Sequence, residues 1–194
     1  MSNPPSAPIG NSQDFIDYTY LDFLGWLCDS FVRCMKLCMK TFRDDPSNIE
    51  EGIMHAQNAI VFAGDVSKML WPKVKHKTRL ARAEKRANRL RQLLNIQSDS
   101  LLQNLDIRNK MEHLDEYVDE WAAKDGPLIC FNTWNMPPSE YVFYNLADSK
   151  FSMLGDEINL MDLSISVGKV QQAVKREIEP IKKRVWPFAP DSGA

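Results

Sequence analysis

The sequence predicts a mainly α chain: an antiparallel up-and-down helical bundle carrying a small β-hairpin late in the chain. Three observations carry that prediction. Apolar residues recur at steps of three and four over successive long stretches, the period of helices that bury one face. The links between those stretches are mostly short, which favours antiparallel neighbours. The period changes only after residue 126, where β-branched and aromatic residues gather in short runs. With 194 residues, 44% apolar and 26% charged, the chain has material for one sizeable core.

Residues 1–12, MSNPPSAPIGNS, have the composition of a disordered tail. A helix is expected from about Asp14 to Phe42, with Leu21, Leu24, Cys28, Phe31, Met35, Cys38 and Phe42 on its buried face. Asp45-Pro46 ends it, because proline disfavours helical geometry in the residue before it. A second helix, about Asn48 to Leu70, buries Ile49, Ile53, Ala56, Ile60, Ala63 and Val66, and Trp71-Pro72 stops it. Its small residues Ala56, Ala59, Ala63 and Gly64 permit a neighbour to approach closely.

The composition then shifts. Nine Lys/Arg residues and His76 lie between Lys73 and Arg91, against the single acid Glu84. Helix propensity is high there, and Leu80, Ala83, Ala87, Leu90 and Leu94 leave only a narrow apolar stripe. Two readings of this charge stand side by side: a solvated basic face, or a surface on which Lys73, Lys75, Lys77, Arg79, Arg82, Lys85, Arg86 and Arg89 bind RNA phosphates. Local charge alone does not separate them.

After the link 95–97 a further helix is expected over residues 98–124, with Ile107, Met111, Leu114, Val118 and Trp121 on one face and Asp125-Gly126-Pro127 as its stop. A small antiparallel sheet is expected from strands at Leu128–Phe131, Tyr141–Leu146 and Phe151–Leu154, the last two paired as a hairpin, within a β insertion at about 128–155. A last helix over about Leu160–Arg184 carries Leu163, Val167, Val170, Val174 and Ile178, with Pro180 inside it as a potential kink. One domain therefore spans 13–187, and residues 188–194 form a loose tail.

Several kinds of chemistry are disfavoured. The chain holds three histidines, and no H-E-x-x-H or paired E-x-x-H pattern offers a metal site. No glycine loop of the GxGxxG or GxxxxGK form is present to cradle a nucleotide, and no Ser or Cys stands in a nucleophile elbow. No metal or other cofactor is expected. The four cysteines form no CxxC pair, and three of them lie in the first helix, where a thiol behaves as a small hydrophobe. A reduced, cytoplasmic setting is expected, since no apolar run approaches a membrane span and no secretory layout opens the chain.

What remains is Arg108-Asn109-Lys110-Met111-Glu112-His113, which puts Arg108, Asn109, Glu112 and His113 on the polar faces of the 98–124 helix just ahead of Asp115, Glu116, Asp119 and Glu120. Imidazole accepts and donates protons near neutral pH, and a guanidinium fork suits a phosphoryl group and its charged transition state. The two suffice in principle to cleave RNA without a metal. Asn109 and His113 share a helix face, but Arg108 and His113 lie about 140° apart around the axis, so one straight helix does not aim both at one phosphate. Two copies of the helix meeting across a two-fold axis would. From spacing alone the favoured reading makes Arg108 a helix-face ion-pair partner of Glu112 and His113 an ordinary surface histidine.

The segment Arg108–His113 fits the R-N-x-x-x-H form of the RX4-6H motif, and here the chain resembles the HEPN superfamily (higher eukaryotes and prokaryotes nucleotide-binding). Its surroundings are similar to a bacterial abortive-infection group: Ser67-Lys68-Met69-Leu70-Trp71-Pro72, Arg89-Leu90-Arg91 before Leu93-Leu94, Glu112-His113-Leu114-Asp115-Glu116, and Leu154-Gly155-Asp156 before a terminal helix. The resemblance, over about residues 15–185, implies a HEPN-like bundle, a homodimer with facing motifs, and metal-independent endoribonuclease activity as a toxin or anti-phage effector. It also implies an antitoxin or other defence-system protein as a partner, and no membrane. It makes Arg108 and His113 the catalytic pair, supported by Asn109. The chain departs from the extended RX4HxY form, since Asp115 stands two residues after His113 and the nearest tyrosine is Tyr117. Control by adenylylation of a tyrosine is therefore not carried over. The alternative reading is a non-catalytic HEPN module that binds RNA or a partner protein.

Overall fold

The computed structural model describes residues 12–45, 47–73, 77–97, 100–105, 130–134, 142–147, 149–153 and 156–187, with Met111, His113, Asp115, Glu116, Asp119, Glu120 and Ala123. Among these the chain is mainly helical. Helix α1 (Ser12–Asp44) is followed by α2 (Ile49–Leu70), α3 (Lys77–Leu94) and the short α4 (Ser100–Gln103). Strands β1 (Cys130–Trp134), β2 (Val142–Ala147), β3 (Lys150–Met153) and β4 (Asp156–Asn159) precede the terminal helix α5 (Leu160–Val185).

The three-four stripes do the packing. Leu21, Leu24, Cys28, Phe31, Met35 and Cys38 of α1 are buried, as are Ile53, Ala56, Ile60, Ala63 and Val66 of α2. Asn48 caps α2: its side-chain oxygen accepts from the Glu51 N–H at 3.4 Å, while its amide donates to Glu51 Oε2 at 2.5 Å. That reciprocal cap sharpens the turn after Asp45 and sends α2 back along α1. The small residues of α2 are used at close range. The Phe42 ring occupies the space that a Cβ on Gly52 would need. Helix α5 flanks α1 on another side and runs antiparallel to it. Gln171 Nε2 donates to Asp29 Oδ1 at 2.5 Å, and Arg184 Nη2 donates to Asp14 Oδ1 at 3.1 Å.

Local signals account for the ends of the later elements. Asn95, in left-handed geometry at φ 51, follows α3. The N–H of Ile96 donates to Arg91 O at 3.0 Å and that of Asn95 to Gln92 O at 3.2 Å, the paired bonds of a Schellman stop. Asn159 opens α5 by accepting from the N–H groups of Met161 and Asp162 at 2.8 and 3.1 Å. Pro180 neither ends nor shortens α5, which continues to Val185.

Leu146 of β2 pairs with Phe151 of β3 in antiparallel register, the expected hairpin. It belongs, however, to a four-stranded sheet of order β1-β2-β3-β4. The sheet extends beyond the expected limit at 155, because β4 (Asp156–Asn159) pairs antiparallel with β3 and sets Ile158 opposite Phe151. Only one residue of β4 is apolar, so alternation alone could not announce it. The expectation of an all-antiparallel sheet is also corrected: β1 pairs parallel with β2, Cys130 opposite Val142. Side chains alternate identically in both arrangements, and sequence pattern carries no strand direction. Leu146, Phe151, Met153 and Ile158 join the helical core.

One helix differs from its expected course. The stretch 98–124 is not continuous: α4 ends at Gln103, Asn104 is a turn and Leu105 is non-helical. Met111, Asp115, Glu116, Asp119 and Glu120 are helical, and the Ala123 N–H donates to Asp119 O at 3.0 Å. The break falls at Asn104-Leu105, and asparagine is a residue type that helix interiors disfavour. Ser12, assigned to the tail from composition, is instead the first residue of α1. Residues 1–11 and 188–194 lie outside the described residues.

Candidate functional site

Helix α3 presents its basic residues in two ways. Ala83, Ala87, Leu90 and Leu94 of the expected stripe are buried, and Leu80 is half-buried. Some of the cations flanking that stripe hold the fold together. Arg91 donates to the Leu70 carbonyl, in the last turn of α2 where carbonyls lack helical partners, and to Asn88 Oδ1. Arg86 Nη2 donates to Lys68 O at 3.1 Å, and its guanidinium lies 6.0 Å from the Tyr20 ring centroid. Lys77, Arg79, Arg82 and Lys85 are exposed and make no ion pair among the described residues. Lys73 is exposed as well. Lys75 lies outside the described residues.

Arg89 reaches furthest across the chain. It grips Asp17 of α1 with Nη2 at 2.6 Å and Nε at 3.1 Å from Oδ2. Asp17 is 1% exposed and also accepts from Gln13 Nε2 at 2.8 Å. The hydrogen bonds to Asp17 hold the Arg89 guanidinium still further above its already high range. Between the two helices lies a groove of about 260 Å³, lined by Gln13, Ile16, Asp17 and Tyr20 on one side and by Arg82, Lys85, Arg86 and Arg89 on the other. A second open cavity, about 410 Å³, lies between the α3–α4 link and α5 and includes Trp71, Lys169 and Arg176.

Of the motif residues, His113 is described; Arg108 and Asn109 lie outside the described residues. The His113 side chain is 57% exposed, with Nδ1 3.3 Å from Glu116 Oε1, three residues on and itself 71% exposed. An imidazole placed in this way can exchange protons with a ligand or with water. Asp115, Glu116, Asp119 and Glu120 are all exposed. Among the described residues no group of three or more His, Cys, Asp or Glu stands close enough to hold a metal ion. No helix of the described residues is long and apolar enough to cross a membrane.

Sequence reasoning did not single out Asp17 and Tyr20. Asp17 had a readable signal: it lies four residues before Leu21 and so falls on the apolar stripe of α1, where a carboxylate needs a partner. That the partner is Arg89, 72 positions away, is a tertiary fact. Comparison with known proteins finds no matching family model, no matching curated sequence and no matching solved structure.

Proposed function

We propose that this chain is a metal-independent endoribonuclease of HEPN type, acting as a toxin or anti-phage effector through a composite site formed by two copies. The observation that carries the reading is the exposure of His113 within the Arg108–His113 motif, where an imidazole packed into the core would have been useless as an acid or base. The basic exposed side of α3 supports it by supplying cations for an RNA backbone.

In this reading the RNA 2′-oxygen attacks the adjacent phosphorus, and the bond from phosphorus to the 5′-oxygen breaks. One His113 takes the 2′-hydroxyl proton, and the His113 of the second copy gives a proton to the departing 5′-oxygen. Arg108 stabilises the charge that builds on the phosphoryl oxygens, and Asn109 orients the scissile group. The products are a cyclic phosphate end and a free 5′-hydroxyl, with no net consumption of protons.

Incubating the purified chain with total RNA in EDTA tests the proposal. Cleavage that disappears in His113→Ala, with fold and dimer retained, is the expected result. Binding without cleavage favours instead the non-catalytic HEPN module, and absence of both removes RNA from the account.

A further inference from the structure

We infer that the groove between the N-terminal half of α1 and α3 is the seat for single-stranded RNA, holding backbone phosphates on Arg82 and Lys85 and a base against Ile16 and Tyr20. The inference rests on the reading of the chain as an RNA-acting protein, and it names residues outside the motif.

The groove is built from two matched faces. Gln13, Ile16, Asp17 and Tyr20 stand at positions i, i+3, i+4 and i+7 of α1, and Arg82, Lys85, Arg86 and Arg89 stand at the same spacing on α3. Each set therefore lines one side of its helix. Four cations face one carboxylate, which leaves an excess of three positive charges. The cations divide by role. Arg89 is fixed by Asp17 and Arg86 by the Lys68 carbonyl, so these two form a rigid floor. Arg86 Nε is buried and has no hydrogen-bond partner among the described residues, leaving a donor in that floor unanswered. Arg82 and Lys85 are exposed at the rim and free of ion pairs among the described residues.

The rest of the lining decides the ligand. Ile16 is 43% exposed at the mouth, and Tyr20 is half-buried beside it. An apolar and aromatic wall beside fixed guanidinium groups suits an unpaired base joined to phosphates, since every base has a face to stack. A duplex keeps its bases paired inside, and a run of acidic side chains offers carboxylates without a ring to place against Tyr20. Arg82 to Arg89 covers about 10 Å of helix axis, so a strand of phosphates can run along α3.

The test is fluorescence anisotropy with a labelled uridine 12-mer, its duplex with adenosine, and a poly-glutamate peptide of equal length, all in a His113→Ala background that preserves the probe. The expected result is binding of the single strand at least tenfold tighter than of the duplex or the peptide. Arg82→Gln with Lys85→Gln should weaken binding at least tenfold and lower the salt slope by about 1.4, the share of two phosphates on a single strand. Tyr20→Leu should weaken the single strand alone. Unchanged binding in the Arg82→Gln, Lys85→Gln variant, or equal binding of poly-glutamate, overturns the inference. The two proposals fail separately. Wild-type cleavage in EDTA with binding indifferent to Arg82 and Lys85 removes the groove and keeps the nuclease. Salt-dependent binding lost in that variant, in a chain that never cleaves RNA, keeps the groove and removes the nuclease.

Discussion

The pair Asp17–Arg89 gives the most exacting check on how the bundle is held. Asp17 is 1% exposed, and substituting Arg89→Ala leaves its carboxylate with the Gln13 amide as the one remaining donor among the described residues. Removing one partner of a fully buried pair costs about 3–5 kcal/mol. The Arg89 side chain is 46% exposed, so water can partly replace it, and we take about 2–3 kcal/mol, near the value of a charged hydrogen bond. Asp17→Ala should cost less, about 1–2 kcal/mol, because the orphaned guanidinium can turn to solvent. The double variant should be no worse than Arg89→Ala, giving a coupling of about 1–2 kcal/mol. Urea unfolding of the four proteins measures this, with Arg82→Ala, which has no ion pair to lose, as a control within about 0.5 kcal/mol of the wild type. Equal losses in the two single variants that sum in the double, or an Arg89→Ala loss no larger than the control's, would refute the reasoning.

Two further predictions concern the core. Alanine normally stabilises a helix interior over glycine by about 1 kcal/mol, but Gly52→Ala puts a methyl carbon into the space filled by Cζ and Cε2 of the Phe42 ring. The variant should therefore unfold about 1–3 kcal/mol more easily, and Phe42→Leu should reverse the sign of the alanine effect; a stabilising Gly52→Ala in the wild-type background contradicts the packing. Burial pushes the Cys28 thiol up to about 12 and the Cys38 thiol up to about 11. Alkylation requires the thiolate, so at about pH 8 both should resist iodoacetamide in the folded chain and react after unfolding, as read by peptide mass spectrometry. Cys34, half-buried in α1, should respond first as pH is raised, and rapid native labelling of Cys28 would contradict its place in the core.

The helices that were legible in the sequence are those whose burial follows a single long stripe. Leu21 through Cys38, Ile53 through Val66 and Leu163 through Val174 all lie in the core, because hydrophobic burial selects a periodic face and the period is visible in one dimension. The hairpin of β2 and β3 was legible for the same reason. Three things were not. The direction of β1 leaves no mark on side-chain alternation. The break after Gln103 leaves little mark in the sequence, because the apolar stripe through Ile107 and Met111 continues the helical period past it. The sequence also showed a basic helix without dividing its cations, since only the packed structure ties Arg86, Arg89 and Arg91 to α1 and α2 while leaving Arg82 and Lys85 at a groove. The motif showed as a residue pattern, and of its three members only His113 has a described position.

Attack by the 2′-oxygen is the chemical core of the proposed activity, and the ends of the cleaved RNA report on it directly. An RNA cut by the wild-type chain in EDTA should carry a 5′-hydroxyl on one fragment and a cyclic phosphate on the other. A single 2′-deoxy substitution at the cut position should abolish that cleavage, as should His113→Ala. A 5′-phosphate product, or undiminished cleavage of the deoxy-substituted strand, would contradict the account.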